Sequence, residues 1–206
     1  MSDAPIDIVL FDLGGVLIDF GGVGPMKLLA GIETDDELWR RWLTCRWVRS
    51  FERGECSPDE FAQGVVDDWG LDMEPDAYLA EFEGWPFRVF DGAEALVAGA
   101  RERVPVGCLS NTNVLHWDRT FTQYPILDAF DFRFLSFEMG IVKPDRELFD
   151  RVAEVLPVPA ERVLFLDDNI LNVEGATQAG FAARHTRGVD EARAALVEAG
   201  ILRESR

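Results

Sequence analysis

The sequence predicts an α/β protein with a doubly wound parallel sheet and a helical segment inserted near its amino end. Four short apolar runs, at 6–11, 104–109, 130–135 and 163–166, each end at polar residues, as buried parallel strands do. Helix-like stretches separate the later runs, and strands that alternate with helices form parallel sheets through right-handed crossovers. With 206 residues and 48% apolar content, the chain can build this core and a small insert.

The first predicted strand, 6–11, leads directly into Asp12 and then into Gly14 and Gly15. An apolar run followed by glycines is typical of a buried strand that ends in a tight turn. Open α/β sheets bind ligands at the carboxyl edge of their strands. Asp12 is therefore a candidate site residue, although a strand and a glycine turn alone would explain this segment.

Residues 19–86 lack the strand pattern and contain helix start signals instead. The segments 34–37 (Thr-Asp-Asp-Glu) and 57–60 (Ser-Pro-Asp-Glu) both match the capping box. We therefore interpret 19–86 as a helical insert. Large aromatic residues in it either fill the core of a small bundle or face a ligand. The insert contains five tryptophans: Trp39, Trp42, Trp47, Trp69 and Trp85.

The second predicted strand, 104–109, is followed by Ser110 and Asn111, and the third, 130–135, is followed by Ser136. Serine and asparagine at a strand-to-helix junction commonly cap the first amides of the helix. A helix start that carries a free hydroxyl also binds anions. The segment 108–113 (Cys-Leu-Ser-Asn-Thr-Asn) is therefore either a helix cap or an anion site.

Lys143 lies directly before a helix that we expect Pro144 to begin. A cation is disfavoured at this end of a helix dipole, and a bound anion would resolve the conflict. Lys27 is the only other lysine among 20 basic residues. In so lysine-poor a chain we favour a functional Lys143 over a lysine that extends into water.

The fourth predicted strand, 163–166, ends at Asp167 and Asp168, with Asn169 and Asn172 close behind. Adjacent carboxylates repel each other unless a cation or hydrogen bonds compensate them, and hard oxygen ligands of this kind suit Mg²⁺. Across the four strands the sheet edge thus offers an acid, a hydroxyl, a lysine and an acid pair. Phosphoryl transfer uses this set of groups.

The charge balance excludes some classes of partner. A formal net charge of −18 makes the surface repel phosphate backbones and anionic lipid, so we expect no nucleic-acid and no membrane partner. Cys45, Cys56 and Cys108 form no C-x-x-C pair and are odd in number, which predicts reduced thiols. We see no signal peptide and expect a cytoplasmic location.

The order and wording of the segments around Asp12, Ser110, Lys143 and the 167–168 acid pair resemble the haloacid dehalogenase (HAD) superfamily, in its branch with a small helical cap. The resemblance covers nearly the whole chain. It implies a Rossmann-like core domain of residues 1–18 and 87–206 and a cap domain of residues 19–86.

The resemblance also implies roles for single residues. Asp12 would be the catalytic nucleophile, and Lys143 would bind the phosphate and assist catalysis. Ser110, Asn111 and Gly14 would complete the phosphate site. A second group of residues would bind the implied cofactor, Mg²⁺, with Asp167 assisting the direct ligands: Asp12, Asp168 and the backbone carbonyl of Gly14.

The implied activity is Mg²⁺-dependent hydrolysis of a small phosphorylated metabolite, such as a sugar phosphate, through an aspartyl-phosphate on Asp12. Three alternatives remain open: a non-catalytic binding module, a 2-haloacid dehalogenase and a phosphomutase. The Asp167–Asp168 pair argues against a dehalogenase, whose chemistry needs no metal.

Gly14 departs from the usual pattern, in which a second Asp acts as general acid and base two residues after the nucleophile. The wording Asp-Leu-Gly-Gly-Val at 12–16 resembles a sub-group that includes bacterial α-D-glucose-1-phosphate phosphatases with glycine there. We expect the leaving group of simple esters to depart unaided, which makes rates fall steeply as its pKa rises. A substitute acid, either His116 or a carboxylate of the cap, would flatten that dependence.

Overall fold

Seven β-strands form two sheets in the computed structural model, which describes residues 5–119 and 121–204. In chain order they are β1 (Ile8–Phe11), β2 (Ile18–Phe20), β3 (Pro86–Val89), β4 (Val106–Ser110), β5 (Phe132–Leu135), β6 (Val163–Asp167) and β7 (Ala182–His185). Five strands form a parallel sheet in the order β5-β4-β1-β6-β7, and β2 pairs antiparallel with β3. The predicted α/β class with a parallel sheet is confirmed.

Eleven α-helices connect these strands within the described residues. Five lie between β2 and β3: α1 (Val23–Ala30), α2 (Asp35–Thr44), α3 (Arg46–Glu52), α4 (Pro58–Trp69) and α5 (Pro75–Glu83). Six follow β3: α6 (Ala93–Arg101), α7 (Val114–Arg119), α8 (Ser136–Met139), α9 (Arg146–Val155), α10 (Ile170–Gln178) and α11 (Gly188–Glu198). None of the helices described here has the length and apolar character that crossing a membrane requires.

The parallel sheet is covered on both faces, as the continuous apolar runs predict. Successive side chains of a strand point to opposite faces. On β1, Val9 and Phe11 belong to the apolar cluster that includes α6 and α11, whereas Ile8 and Leu10 belong to the cluster that includes α9. Because the five strands are parallel, their carboxyl ends meet at one edge of the sheet.

The four strands predicted from apolar runs are present, with ends that differ from the prediction by at most two residues. Three further strands, β2, β3 and β7, were not predicted. The edge strand β7 reads Ala-Ala-Arg-His, and its side chains are only partly buried or exposed. Without a neighbour on one side, such a strand needs no apolar run and leaves little signal.

Both helix starts predicted in the insert are confirmed. Thr34 Oγ1 accepts a hydrogen bond from the Glu37 N–H at the start of α2. Ser57 and Glu60 form the complete, reciprocal capping box of α4. These caps stabilise short helices whose apolar faces pack on one another.

The helices α1–α5 surround a separate aromatic core, which supports residues 19–86 as the proposed cap domain. Trp42, Trp69 and Trp85 are buried in this core, while Trp39 and Trp47 are half-buried at its border. Filling the bundle is therefore the main role of the tryptophans. The boundaries of the cap coincide with the antiparallel pair β2 and β3, through which the chain leaves and re-enters the core domain. Residues 1–4, 120 and 205–206 of the predicted core domain lie outside the described residues.

The three cysteines carry free thiols, as their number and spacing predict. Cys45 and Cys108 are buried, and Cys56 is half-buried. Burial raises the pKa of the Cys108 thiol to about 12. This thiol therefore stays protonated and acts as a packing group within β4.

Candidate active site

Asp12 follows β1 and lines a cavity between the sheet edge and the cap. Its Oδ1 accepts a hydrogen bond from the Leu13 N–H at 2.8 Å and lies 2.9 Å from Lys143 Nζ. Among the described residues Oδ2 has no hydrogen-bond partner. Burial raises the pKa of Asp12 to about 6, although the positive charge of Lys143 opposes the shift. One oxygen is thus held in place while the other can meet a ligand.

Lys143 is 1% exposed and lies between two carboxylates. Besides Asp12, its ammonium group contacts Asp167 Oδ2 at 2.6 Å and the Leu109 carbonyl at 3.0 Å. Burial alone would lower the pKa of Lys143, but the charges of Asp12 and Asp167 outweigh burial and raise it. The lysine is therefore a fixed cation at the floor of the cavity. The alternative of a lysine extended into water is wrong.

Asn111 holds the backbone of Lys143 in place. Its side-chain Oδ1 accepts from the Lys143 N–H at 2.8 Å, and its Nδ2 donates to the Lys143 carbonyl at 3.0 Å. The second N–H of Nδ2 and the backbone N–H of Asn111 remain as donors for a phosphate. The predicted phosphate role of Asn111 thus stays a prediction, and the side chain has a positioning role that the sequence did not indicate.

The expectation that Pro144 begins a helix is wrong. The Asp145 N–H donates to the Val142 carbonyl at 3.0 Å, which closes a turn centred on Lys143 and Pro144. The helix α9 begins only at Arg146. The dipole conflict that suggested an anion near Lys143 is therefore weaker than the sequence indicates, and the buried carboxylates are the groups that hold the lysine.

Ser110 ends β4 and is buried at the floor of the same cavity. The N-cap residue of the next helix, α7, is Asn113, whose side-chain Oδ1 accepts a hydrogen bond from the His116 N–H at 3.0 Å. Ser110 Oγ makes only a long hydrogen bond of 3.4 Å, to the Asn111 carbonyl. Asn113 therefore serves as the N-cap residue of the helix. The hydroxyl of Ser110 is left to bind an anion.

The two neighbouring aspartates after β6 have different surroundings. Asp167 is fully buried and accepts hydrogen bonds from Lys143, from the Asn169 N–H and from the side chain of Asn172, at 2.6 to 3.1 Å. Among the described residues Asp168 has no comparable set of donors and forms no ion pair. Burial, followed by the negative charges of Asp167 and Asp12, raises the pKa of Asp168 to about 8, although the positive charge of Lys143 opposes the shift. The negative charge of Asp168 is thus only partly compensated.

The carboxylates fit a magnesium ion. Asp12, Asp167 and Asp168 each offer an oxygen atom, and the three atoms lie within 4.8 Å of one another. Mg²⁺ prefers hard oxygen ligands, and it would supply the positive charge that Asp168 lacks. Because the oxygens of Asp167 already accept protein donors, Asp12 and Asp168 are better placed to hold the ion directly. The backbone carbonyl of Gly14, which also lines the cavity, is a further candidate ligand.

Gly14 and Gly15, which follow Asp12, differ in whether a side chain could replace the hydrogen. Gly15 has a φ of +71°, and a Cβ there would lie 2.2 Å from Asp168 Oδ2, so only glycine fits. At Gly14 a Cβ would meet nothing closer than Phe20 Cβ at 3.8 Å, an ordinary contact. The structure therefore has room for a side chain at Gly14, and packing does not explain its absence.

The cap closes the other side of the cavity, whose volume is about 130 Å³. The cap side of the cavity is mostly aromatic and includes one carboxyl group: Phe20, Trp39, Trp42, Glu52 and Phe82. Ion pairs attach α3 of the cap to the core beside Lys143, with Arg49 at 2.5 Å and Arg53 at 2.9 Å from Asp145 Oδ2. A cavity of this size favours small molecules as occupants.

His116 reaches the cavity but already uses both ring nitrogens. Nε2 lies 2.7 Å from the Phe82 carbonyl, and Nδ1 lies 3.2 Å from Asn113 Nδ2. Burial lowers the pKa of His116 to about 4, so the ring is neutral near pH 7. With its one N–H donated to Phe82, His116 is poorly suited to replace the acid that Gly14 lacks.

Glu52 is a cavity residue that the sequence did not single out. It follows Val48 and Phe51 on the buried face of α3. A glutamate on the apolar face of a short helix is the one signal that could have identified it. Which cap side chains enter the cavity depends on how the helices pack, and this is not visible in the sequence.

Curated relatives of this chain are named as phosphatases. The D-ribitol-5-phosphate phosphatase of Bacteroides thetaiotaomicron is 27% identical over 185 residues, which cover 84% of this chain and 88% of the relative. Phosphatase MT3486 of Mycobacterium tuberculosis is 29% identical over 202 residues, with 86% of each chain covered. Both relatives match along most of their length.

Solved structures show the same fold. The HAD-family enzyme bt-2542 of Bacteroides thetaiotaomicron, in complex with magnesium and inorganic phosphate, superposes with a TM-score of 0.67 at 25% identity, over 88% of this chain and 94% of that chain. A HAD-like hydrolase from Porphyromonas gingivalis gives a TM-score of 0.72 at 24% identity, over 98% of this chain and 100% of that chain.

The family comparison covers most of the chain. Residues 6–180 match the model described as haloacid dehalogenase-like hydrolase, a range that includes all the predicted site residues. The resemblance inferred from the four motifs is thereby confirmed. This chain belongs to the haloacid dehalogenase-like hydrolase family.

Proposed function

We propose that this protein is a Mg²⁺-dependent phosphomonoesterase that acts on a small phosphorylated metabolite through an aspartyl-phosphate on Asp12. The main support is the arrangement of Asp12, whose Oδ1 is fixed by Leu13 and Lys143 while Oδ2 is left for a ligand in the cavity. The relatives named as phosphatases and the magnesium and phosphate complex of a similar structure also support it.

The chain's own residues perform most of the proposed reaction. Ser110 and backbone N–H groups after β4 hold the phosphate, and Lys143 offsets the repulsion between this dianion and the attacking carboxylate. Asp12 Oδ2 attacks phosphorus and forms the acyl phosphate, which water then hydrolyses. Bound Mg²⁺ would supply further positive charge to the phosphoryl oxygens. Asp167 keeps Lys143 in position throughout.

Hydrolysis of p-nitrophenyl phosphate with and without Mg²⁺ tests the proposed function. We expect turnover that needs the metal. A non-catalytic binding module would show no turnover in either condition. Release of halide from a 2-haloacid without metal would favour the dehalogenase alternative, and isomerisation of a sugar phosphate without phosphate release would favour the phosphomutase.

We predict that small polyol and sugar phosphates are better substrates than large phosphate esters. The cavity of about 130 Å³ favours a small ester, and its aromatic wall suits the apolar faces of sugars. The relative named D-ribitol-5-phosphate phosphatase supports this class. A screen of kcat/KM across phosphate esters checks the prediction. Preference for phosphopeptides or oligonucleotides would contradict it.

Asp168→Asn should weaken Mg²⁺ binding more than Asp167→Asn does. Loss of an orienting partner typically costs about 10- to 100-fold in metal affinity, and loss of a direct ligand costs more. Asp167→Asn should instead lower the basal melting temperature, because Asp167 carries hydrogen bonds from Lys143 and Asn172. Thermal melting across a Mg²⁺ titration separates the two effects. Equal losses of Mg²⁺ affinity in the two variants would contradict the assignment of Asp168 as a direct ligand and Asp167 as an orienting partner.

A further inference from the structure

Glu52 is a buried carboxyl group of the cap that forms no ion pair with the described residues. It ends α3 and is 9% exposed, yet it lines the cavity that holds Asp12. The nearby cations are engaged elsewhere, Arg49 with Asp145 and Lys143 with two aspartates. Within the described part of the chain no ion pair includes Glu52. A structural salt bridge therefore does not explain this residue.

The two oxygens of Glu52 have different surroundings. Oε1 accepts a hydrogen bond from Trp42 Nε1 at 3.3 Å, which fixes the side chain against the cap. Oε2 has no hydrogen-bond partner among the described residues, and it is not one of the fully enclosed unpaired atoms. Glu52 lines the cavity, so Oε2 is the carboxyl oxygen that is left to meet a ligand there.

Glu52 is partly protonated near neutral pH. Burial raises the pKa of Glu52 to about 7, against the hydrogen bond from Trp42 and the positive charges of Lys143 and Arg49, while Asp12 adds to the rise. A bound phosphate dianion would add negative charge and favour the protonated form further. A proton donor works best when its pKa lies near the working pH.

The reaction needs such a donor because Gly14 has no side chain to protonate the leaving group. His116 cannot serve, since both of its nitrogens are engaged. We propose that Glu52 is the general acid and base of this enzyme, acting from the cap in place of an acid at Gly14. The inference rests on the proposed phosphomonoesterase function. Protonation by Glu52 takes the place of unaided departure of the leaving group, which is the expectation from the sequence alone.

The proton transfers balance over the two steps. When Asp12 Oδ2 bonds to phosphorus, the bond from phosphorus to the ester oxygen breaks with its electron pair on that oxygen, which takes the proton of Glu52. The alcohol leaves, and Glu52 remains as a carboxylate. Water then attacks the acyl phosphate and gives a proton to Glu52 as the P–O bond to Asp12 breaks. Phosphate is released, and both side chains return to their starting forms.

Glu52→Gln tests the proposal because glutamine keeps the shape and the acceptor for Trp42 but cannot donate a carboxyl proton. The variant and wild type are compared in kcat/KM across esters from p-nitrophenyl phosphate to alkyl phosphates such as ribitol 5-phosphate. We expect a loss of about 10²-fold or more for alkyl esters, whose leaving groups need a proton, and little change for the aryl ester. The matched control is Glu55→Gln, at an exposed position just after the helix.

The outcomes separate this proposal from the proposed function. Equal losses on all esters would show that Glu52 only binds substrate or supports the cap, and full activity on alkyl esters would also overturn the proposal. Wild type that hydrolyses no ester would instead refute the phosphomonoesterase function itself. Thermal melting of each variant verifies that the protein is folded.

Gly14→Asp in the Glu52→Gln background gives an independent test. The structure has room at Gly14, where a Cβ makes only an ordinary contact with Phe20. If the missing function is proton donation, Asp at this position should restore part of the alkyl-ester activity, whereas Gly14→Asn, of the same size, should not. Equal recovery with Asn would show that packing causes the effect and would overturn the proposal.

Discussion

Asp12→Asn should reduce phosphatase activity by at least about 10⁴-fold, as losses of catalytic nucleophiles do. The amide is a poor nucleophile and a poor magnesium ligand. Folding should persist, because the amide oxygen can still accept from the Leu13 N–H and Lys143 still pairs with Asp167. Steady-state hydrolysis of p-nitrophenyl phosphate measures the loss, and acid-quenched samples test for the phosphoenzyme.

The matched control for this substitution is Asp36→Asn, on the exposed surface of the cap. It makes the same chemical change away from the cavity and should leave kcat/KM unchanged. Substantial activity in Asp12→Asn, with normal folding, would rule out covalent catalysis by this residue. Water would then have to attack the ester directly.

Lys143→Met should both inactivate the protein and lower its free energy of unfolding by about 3 to 5 kcal/mol, the usual cost of breaking a buried ion pair. Methionine fills the space of the lysine stem but leaves Asp12 and Asp167 without the cation that lies between them. Urea denaturation measures the stability change, and hydrolysis of p-nitrophenyl phosphate measures the activity.

Lys27→Met is the natural control, because Lys27 is the only other lysine of the chain. Its ion pair with Asp35 is partly exposed, and such pairs contribute about 0 to 1 kcal/mol. We therefore expect a small change in stability and none in activity. Similar losses in the two variants would mean that the contacts of Lys143 with the buried carboxylates do not stabilise the fold.

The sequence predicts the core of the site well because each strand that carries it is buried on both faces. An apolar run that stops at a polar residue marks the sheet edge, and this locates Asp12, Ser110 and Asp167 without any structure. The start of α9 was misplaced, because Lys143 and Pro144 lie in a turn whose backbone is held by the side chain of Asn111, 32 residues earlier in the chain. Local sequence patterns do not show such a contact.

The cap side of the site could not be predicted to the same depth. The N-cap residues Thr34 and Ser57 are local sequence signals, and the structure confirms the helix starts that they predict. Whether Glu52 faces water or the cavity depends on the angle at which α3 meets the core, which is set by Arg49 and Asp145, 96 residues apart in the chain. Contacts between residues so far apart in the chain produce no periodic pattern in the sequence.

The attachment of α3 has a consequence for exchanging caps between relatives. This one helix carries Arg49, which binds the core beside Lys143, and also Glu52, which faces the cavity. A chimera that keeps the other helices of the cap but changes the position of α3 would lose the ion pair of Arg49 with the core and the carboxyl group of Glu52 in the cavity together. Domain grafting onto this core should therefore treat α3 and the turn at Asp145 as a single unit of exchange.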